Sequence, residues 1–154
     1  MTALAASDAR ITCELTDGTG VDGTVAATGP DWLALGDGPA RGALIVPVEA
    51  VVAIGARHED VLLSARGASP SRLRERMTLG FVLRDLARRR VPVTVSLRGG
   101  RELAGTIDRA ASDHLDLALH DRGAPRRRDL VSGHRLVPFA AISSIRLEAT
   151  VDLV

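Results

Sequence analysis

VPVTVSLRGGRELAGTIDRAASDHLDLAL, residues 91–119, is the stretch whose reading decides the fold. Val93, Val95 and Leu97 alternate with Thr94, Ser96 and Arg98. Successive side chains of a strand point to opposite faces, so the apolar set shares one face. Gly99-Gly100 predicts a tight hairpin, because Gly reaches the positive φ such turns demand. The next strand turns Leu103 and Ile107 inward with Gly105 between them. An inward Gly in a strand marks a sharp bend or bulge. Leu115, Leu117 and Leu119 then alternate again. Three consecutive antiparallel strands of one small, strongly curved barrel are expected.

Working outward, residues 9–56 lie on residues 91–147 almost without adjustment. At a constant offset of 82, Thr12, Leu15, Gly18, Gly23 and Thr24 match Thr94, Leu97, Gly100, Gly105 and Thr106. Asp31, Leu33 and Leu35 match Asp113, Leu115 and Leu117. Past the next loop the offset is 91, and Pro47, Ala50 and Ile54 match Pro138, Ala141 and Ile145. Shared turn glycines and shared inward apolar positions are what two copies of one fold would keep. Each copy reads as five short strands, closing a small barrel of SH3 or OB size. The tails Glu59–Leu63 and Thr150–Val154 are candidates for an added edge strand.

Between the copies, Ser69 followed by Pro70 is a helix-start signal, and Pro92 is a stop. Leu79, Val82, Leu83, Leu86 and Ala87 fall on one arc of that helix, with Arg84, Asp85, Arg88 and Arg89 opposite. Arg72 and Arg76 interrupt the apolar arc near its start. The expected architecture is mainly β: two five-stranded Sm/SH3-like barrels in tandem, joined by one α-helix. The first barrel spans 9–65, the basic connecting helix 66–90 and the second barrel 91–154, with a loop insertion at 122–135.

Composition bounds the function. The 154-residue chain is 45% apolar, which suits a folded protein, but holds only one Trp, two Phe and no Tyr. All 20 basic residues are Arg, which excludes Schiff-base lysine chemistry and a P-loop lysine. Cys13 is the single cysteine, so no intrachain disulfide forms. The start MTALAASDAR has no signal-peptide pattern and no stretch is long enough for a membrane span, so a cytoplasmic protein without membrane partners is expected. Residues 1–65 carry a net charge of −6, residues 66–90 of +6 and residues 91–154 of +1. That polarity suits an anionic partner for the middle, or attraction between the acidic and basic parts of two chains.

Few residues suggest chemistry. Gly18-Thr-Gly-Val-Asp-Gly23 spells G-x-G-x-x-G, but strand-like residues follow where the dinucleotide motif needs a helix, so it reads as turn and bend. His114, Asp116 and His120 fall on the face opposite the leucines, the solvated face, and no fourth ligand completes a metal site. Cys13 aligns with inward Val95 and reads as core. No nucleophile-elbow pattern appears. Neither enzymatic activity, cofactor, metal nor small-molecule substrate is expected.

The five-strand unit preceded by a helix resembles the Sm-like fold of Sm, LSm and bacterial Hfq proteins. The resemblance rests on Gly100, Gly105-Thr-Ile107 and Asp113-His-Leu-Asp-Leu-Ala-Leu119, similar to the first Sm motif. Leu136-Val-Pro-Phe-Ala-Ala-Ile-Ser-Ser-Ile145 is similar to the second as it stands in Hfq-type chains. The resemblance implies a non-enzymatic RNA-binding barrel. At the positions where the family holds RNA, however, Asp116 replaces the family's Asn. Val137-Pro138-Phe139 replaces the Hfq-like Tyr-Lys-His, and the eukaryotic Arg-Gly step is absent. Contacts to RNA or DNA phosphates are therefore expected from the basic helix, with Arg72, Arg74, Arg76, Arg88, Arg89 and Arg90, and from the inserted loop, with Arg126, Arg127 and Arg128. The alternative is a protein-protein or self-association module, in which the acidic first copy meets the basic helix.

Overall fold

The protein is seen in a computed structural model that describes residues 9–36, 42–65, 76–123 and 127–148. Ten strands form in chain order: β1 (Arg10–Leu15), β2 (Gly20–Thr28), β3 (Trp32–Gly36), β4 (Leu44–Pro47), β5 (Val51–Ala56), β6 (Pro92–Leu97), β7 (Glu102–Ala110), β8 (His114–Leu119), β9 (Gly133–Pro138) and β10 (Ile142–Leu147). Among the described residues, two α-helices, α1 (His58–Ala65) and α2 (Leu79–Arg88), lie between β5 and β6. All strand pairs are antiparallel and belong to one sheet, ordered β5-β1-β2-β3-β4-β10-β6-β7-β8-β9.

The duplication is carried through to hydrogen-bond register. Ile11 opposes Gly23 as Val93 opposes Gly105. The β2–β3 register shifts between Val25 and Ala27, and the β7–β8 register shifts between Ile107 and Arg109, the same step 82 residues on. Ile54 opposes Cys13 as Ile145 opposes Val95, and Trp32 opposes Pro47 as His114 opposes Pro138. The glycines explain the matched positions. Gly18 and Gly100 take φ of 82° and 75° in the hairpins, a region L side chains rarely adopt. A Cβ on Gly105 would lie 2.1 Å from the Ala118 carbonyl oxygen, and one on Gly23 2.8 Å from that of Gly36. Only Gly lets the second and third strands of each unit approach so closely where the sheet bends.

The two units are stitched side by side. β4 of the first pairs with β10 of the second, Ile145 opposite Ile45 and Arg146 opposite Leu44. Leu147 N–H donates to the Ala43 carbonyl at 2.9 Å, and Arg98 donates to the Glu49 carbonyl at 3.0 Å. The separate closed barrels expected from the sequence are thus not what forms: the strand that would close the first unit is taken by the second, and the sheet stays open. Among the described residues, β5 and β9 pair on one side only.

Two cores result. Cys13, Leu15, Leu33, Leu35 and Val46 pack in one, inside the first unit. Trp32, Ala34 and Ile45 join α2 and the second unit's Val95, Ile107, Leu115, Leu117 and Ile145 in the other. Because β3 and β4 alternate between two apolar cores, all four residues of β4 are buried.

Both helices correct the sequence expectation. Glu59–Leu63 belongs to α1 and adds no edge strand. Asp60 and Val61 N–H groups close the turn on the Arg57 carbonyl, and Glu59 and Asp60 suit a helix N-terminus. α2 begins at Leu79, with Thr78 extended before it (φ −68°, ψ 160°). Packing sustains most helices, and the apolar arc begins only at Leu79. Ser69, Pro70 and Thr150–Val154 lie outside the described residues. No helix among the described residues is long and apolar enough to cross a membrane.

Candidate nucleic-acid interface

The site is built on α2. Leu79, Val82, Leu83 and Leu86 are buried against the second unit. Phe81, Arg84 and Arg88, at i, i+3 and i+7, form one outward stripe. The helix is fixed at its start by the first unit. Thr78 contributes no side-chain cap; Asp31, from the β2–β3 hairpin, accepts from Leu79 N–H at 2.8 Å instead. Beside it the Trp32 indole N–H donates to the Met77 carbonyl at 2.7 Å.

The other end closes with a left-handed residue. Val91 N–H donates to the Leu86 carbonyl at 3.1 Å and Arg90 N–H to that of Ala87 at 3.2 Å, the paired bonds of a Schellman turn. Arg90 takes the position usually given to Gly, with φ 54°, and it has the sole positive φ of any non-glycine among the described residues. An L side chain costs roughly 1–2 kcal/mol there.

Between α2 and β7 this geometry leaves a groove of about 530 Å³, lined by Phe81, Arg84, Arg88, Arg90, Arg109 and Asp108. Phe81 is 42% exposed. Arg90 pairs with Asp108 at 2.9 Å, Arg109 with Asp116 at 2.8 Å and Arg88 with Asp85 at 3.1 Å. Arg84 reaches the Ala111 carbonyl at 3.5 Å. Asp108 also faces His134 Nε2 at 3.5 Å, so the end of the inserted loop approaches the same carboxylate.

Of the residues singled out in the sequence, Arg88 and Arg90 line this groove. Arg89 turns to Asp85 at 3.3 Å. Arg76 is exposed just ahead of α2. Arg127 pairs with Asp129 at 3.4 Å, and Arg128 is exposed nearby; neither lines the groove. Arg72, Arg74 and Arg126 lie outside the described residues. Phe81, Arg84 and Arg109 were missed. The helical spacing of the first two was a usable signal; Arg109 follows the bulge in β7, where alternation no longer tells which way a side chain points.

The histidine reading needs one correction. His120 is buried, not solvated: β8 ends at Leu119, and His120 Nε2 lies 2.8 Å from the Thr106 hydroxyl. His114 Nδ1 lies 2.7 Å from Asp113 Oδ1, and this bond holds the Asp113 carboxyl below its ordinary pKa. No group of three or more His, Cys, Asp or Glu among the described residues is placed to hold a metal. Cys13 is buried, and burial pushes its thiol pKa up. Known protein families, curated proteins and solved structures offer no match to this chain.

Proposed function

We propose that the protein is a non-enzymatic, Sm-like binding protein that holds the phosphates of single-stranded RNA or DNA along the groove between α2 and β7. The observation that carries this reading is the convergence of Arg84, Arg88, Arg90 and Arg109 on one groove whose lining includes a single acid, Asp108. Guanidinium groups match phosphate oxygens bidentately. Arg88, Arg90 and Arg109 pair with Asp85, Asp108 and Asp116, and Arg84 with the Ala111 carbonyl; the arginine side of each ion pair stays exposed, so phosphates can compete for it. Phe81 offers a ring face on which one base can stack. Arg90 supports the reading from the backbone: strain retained at a residue is a reason to look for a role there. Two five-strand units with matching bend glycines, the second led into by α2, support the Sm-like part of the proposal.

Fluorescence anisotropy of a labelled single-stranded oligonucleotide, titrated with the full chain across a salt series, tests this. Each phosphate contact contributes about −0.7 to the slope of log K against log salt for single strands. Three to four contacts predict a slope of about −2 to −3. Absence of binding at low salt overturns the proposal.

A further inference from the structure

We propose that a cavity between the two units binds a small zwitterion, an α-amino acid with an apolar side chain. Its volume is about 270 Å³, and the β1–β2 and β6–β7 hairpins meet at it, Asp17 and Thr19 from one and Gly100 from the other. Drug-sized ligands take pockets of about 300–1,000 Å³, so this one suits a smaller molecule. No residue lines both this cavity and the α2–β7 groove. Four charged side chains line it, Asp17 and Glu102 against Arg122 and Arg146. Glu102 and Arg122 pair with each other. Asp17 and Arg146 make no ion pair among the described residues, either together or with a third group. One unpaired anion from the first unit and one unpaired cation from the second thus face a single cavity.

Both charges are firmly held. Burial alone would raise the Asp17 carboxyl, but the Thr19 hydroxyl and N–H donate to its Oδ1 at 2.6 and 2.9 Å and keep its pKa below the ordinary value. The Arg146 guanidinium stays protonated, and its planar fork fits a carboxylate. A ligand ammonium is matched at Asp17 and a ligand carboxylate at Arg146. Ser144 adds a neutral partner in the same wall: it is 5% exposed, and its hydroxyl makes no hydrogen bond among the described residues. A buried hydroxyl left unpaired costs free energy that a polar ligand atom recovers. Val21, Leu44 and Leu97 supply the apolar part of the lining. Leu44 stands opposite Arg146 in the β4–β10 register, which sets apolar surface beside the carboxylate end. A ligand of one charge only is opposed, an anion by Asp17 and Glu102 and a cation by Arg122 and Arg146.

Isothermal titration calorimetry of the full chain with L-leucine and L-valine tests this. Two further titrants each lack one charge of leucine: isoamylamine has no carboxylate, and 4-methylpentanoate has no ammonium. The expected result is saturable binding of at least one amino acid, with each analogue of leucine weaker than leucine by about tenfold or more, the worth of one charge-assisted bond. Asp17→Asn keeps an oxygen for the Thr19 bonds, and Arg146 is at an exposed position, so Arg146→Gln spares the core. Each substitution is expected to weaken the amino acid by about tenfold. Asp17→Asn should not weaken 4-methylpentanoate, nor Arg146→Gln isoamylamine, a pattern that general unfolding does not produce. Circular dichroism checks the fold of both variants. No saturable binding of either amino acid overturns the proposal, as do analogues that bind as tightly as leucine or an affinity that both substitutions leave intact.

Discussion

Arg90 is where structure and chemistry conflict most plainly. A Schellman turn wants Gly at that position, and this chain puts a long cation there with φ 54°. Arg90→Gly is expected to stabilise the fold by about 1 kcal/mol, because it removes the left-handed penalty. Denaturant unfolding reads that gain, while oligonucleotide affinity should fall with the lost groove cation. Stability gained at the cost of binding is the pattern of a residue kept for function. At this scale the sequence was legible for Gly100 and Gly105, whose hairpin and alternation neighbours announce them. It was legible for inward Cys13 too. It was opaque for His120, since the strand's alternation was carried one residue past its end at Leu119. Only the structure gives the backbone angle at Arg90.

At the scale of elements, the coupling of α2 to the first unit decides how the groove is held. Asp31 caps a helix that packs on the other unit, so its carboxylate adds a tie between the two copies beside the β4–β10 seam and the Trp32–Met77 bond. Asp31→Ala is expected to cost about 1 kcal/mol, the usual worth of an N-terminal cap, and to loosen the first turn of α2. Denaturant unfolding checks the cost, and faster amide exchange at Leu79 than at Leu86 checks where it falls. The strands were legible because period-two alternation and turn glycines agree in both copies. The start of α2 was not: the described helix begins at Leu79, where the buried arc that stabilises it begins, while Ser69-Pro70 lies outside the described residues. The cap could not be read at all, because Asp31 is 48 residues away from Leu79.

For the whole molecule, the repeat was plain in sequence, and its consequence was not. Two five-strand units could each have closed; instead β4 and β10 pair, burying Ile45 and Ile145 at the seam. Leu-Ile-Val-Pro at 44–47 carries no polar alternation, the pattern of a strand covered on both faces, but a short apolar run does not say which strand lies beside it. The groove arises at the same scale, from a helix laid over a bulged strand, and its cations come from separate segments of the chain. On the proposed function, nucleic acid is held by the groove and not by the inserted loop. The direct test is anisotropy at fixed low salt with two variants of the full chain, Arg84→Gln with Arg88→Gln, and Arg126→Gln with Arg127→Gln and Arg128→Gln. The groove pair should lose at least tenfold in affinity and flatten the salt slope by about 1.4, two contacts' worth, while the loop triple stays within a few-fold of the parent. The reverse order, with the loop variant losing binding and the groove variant keeping it, would contradict the account.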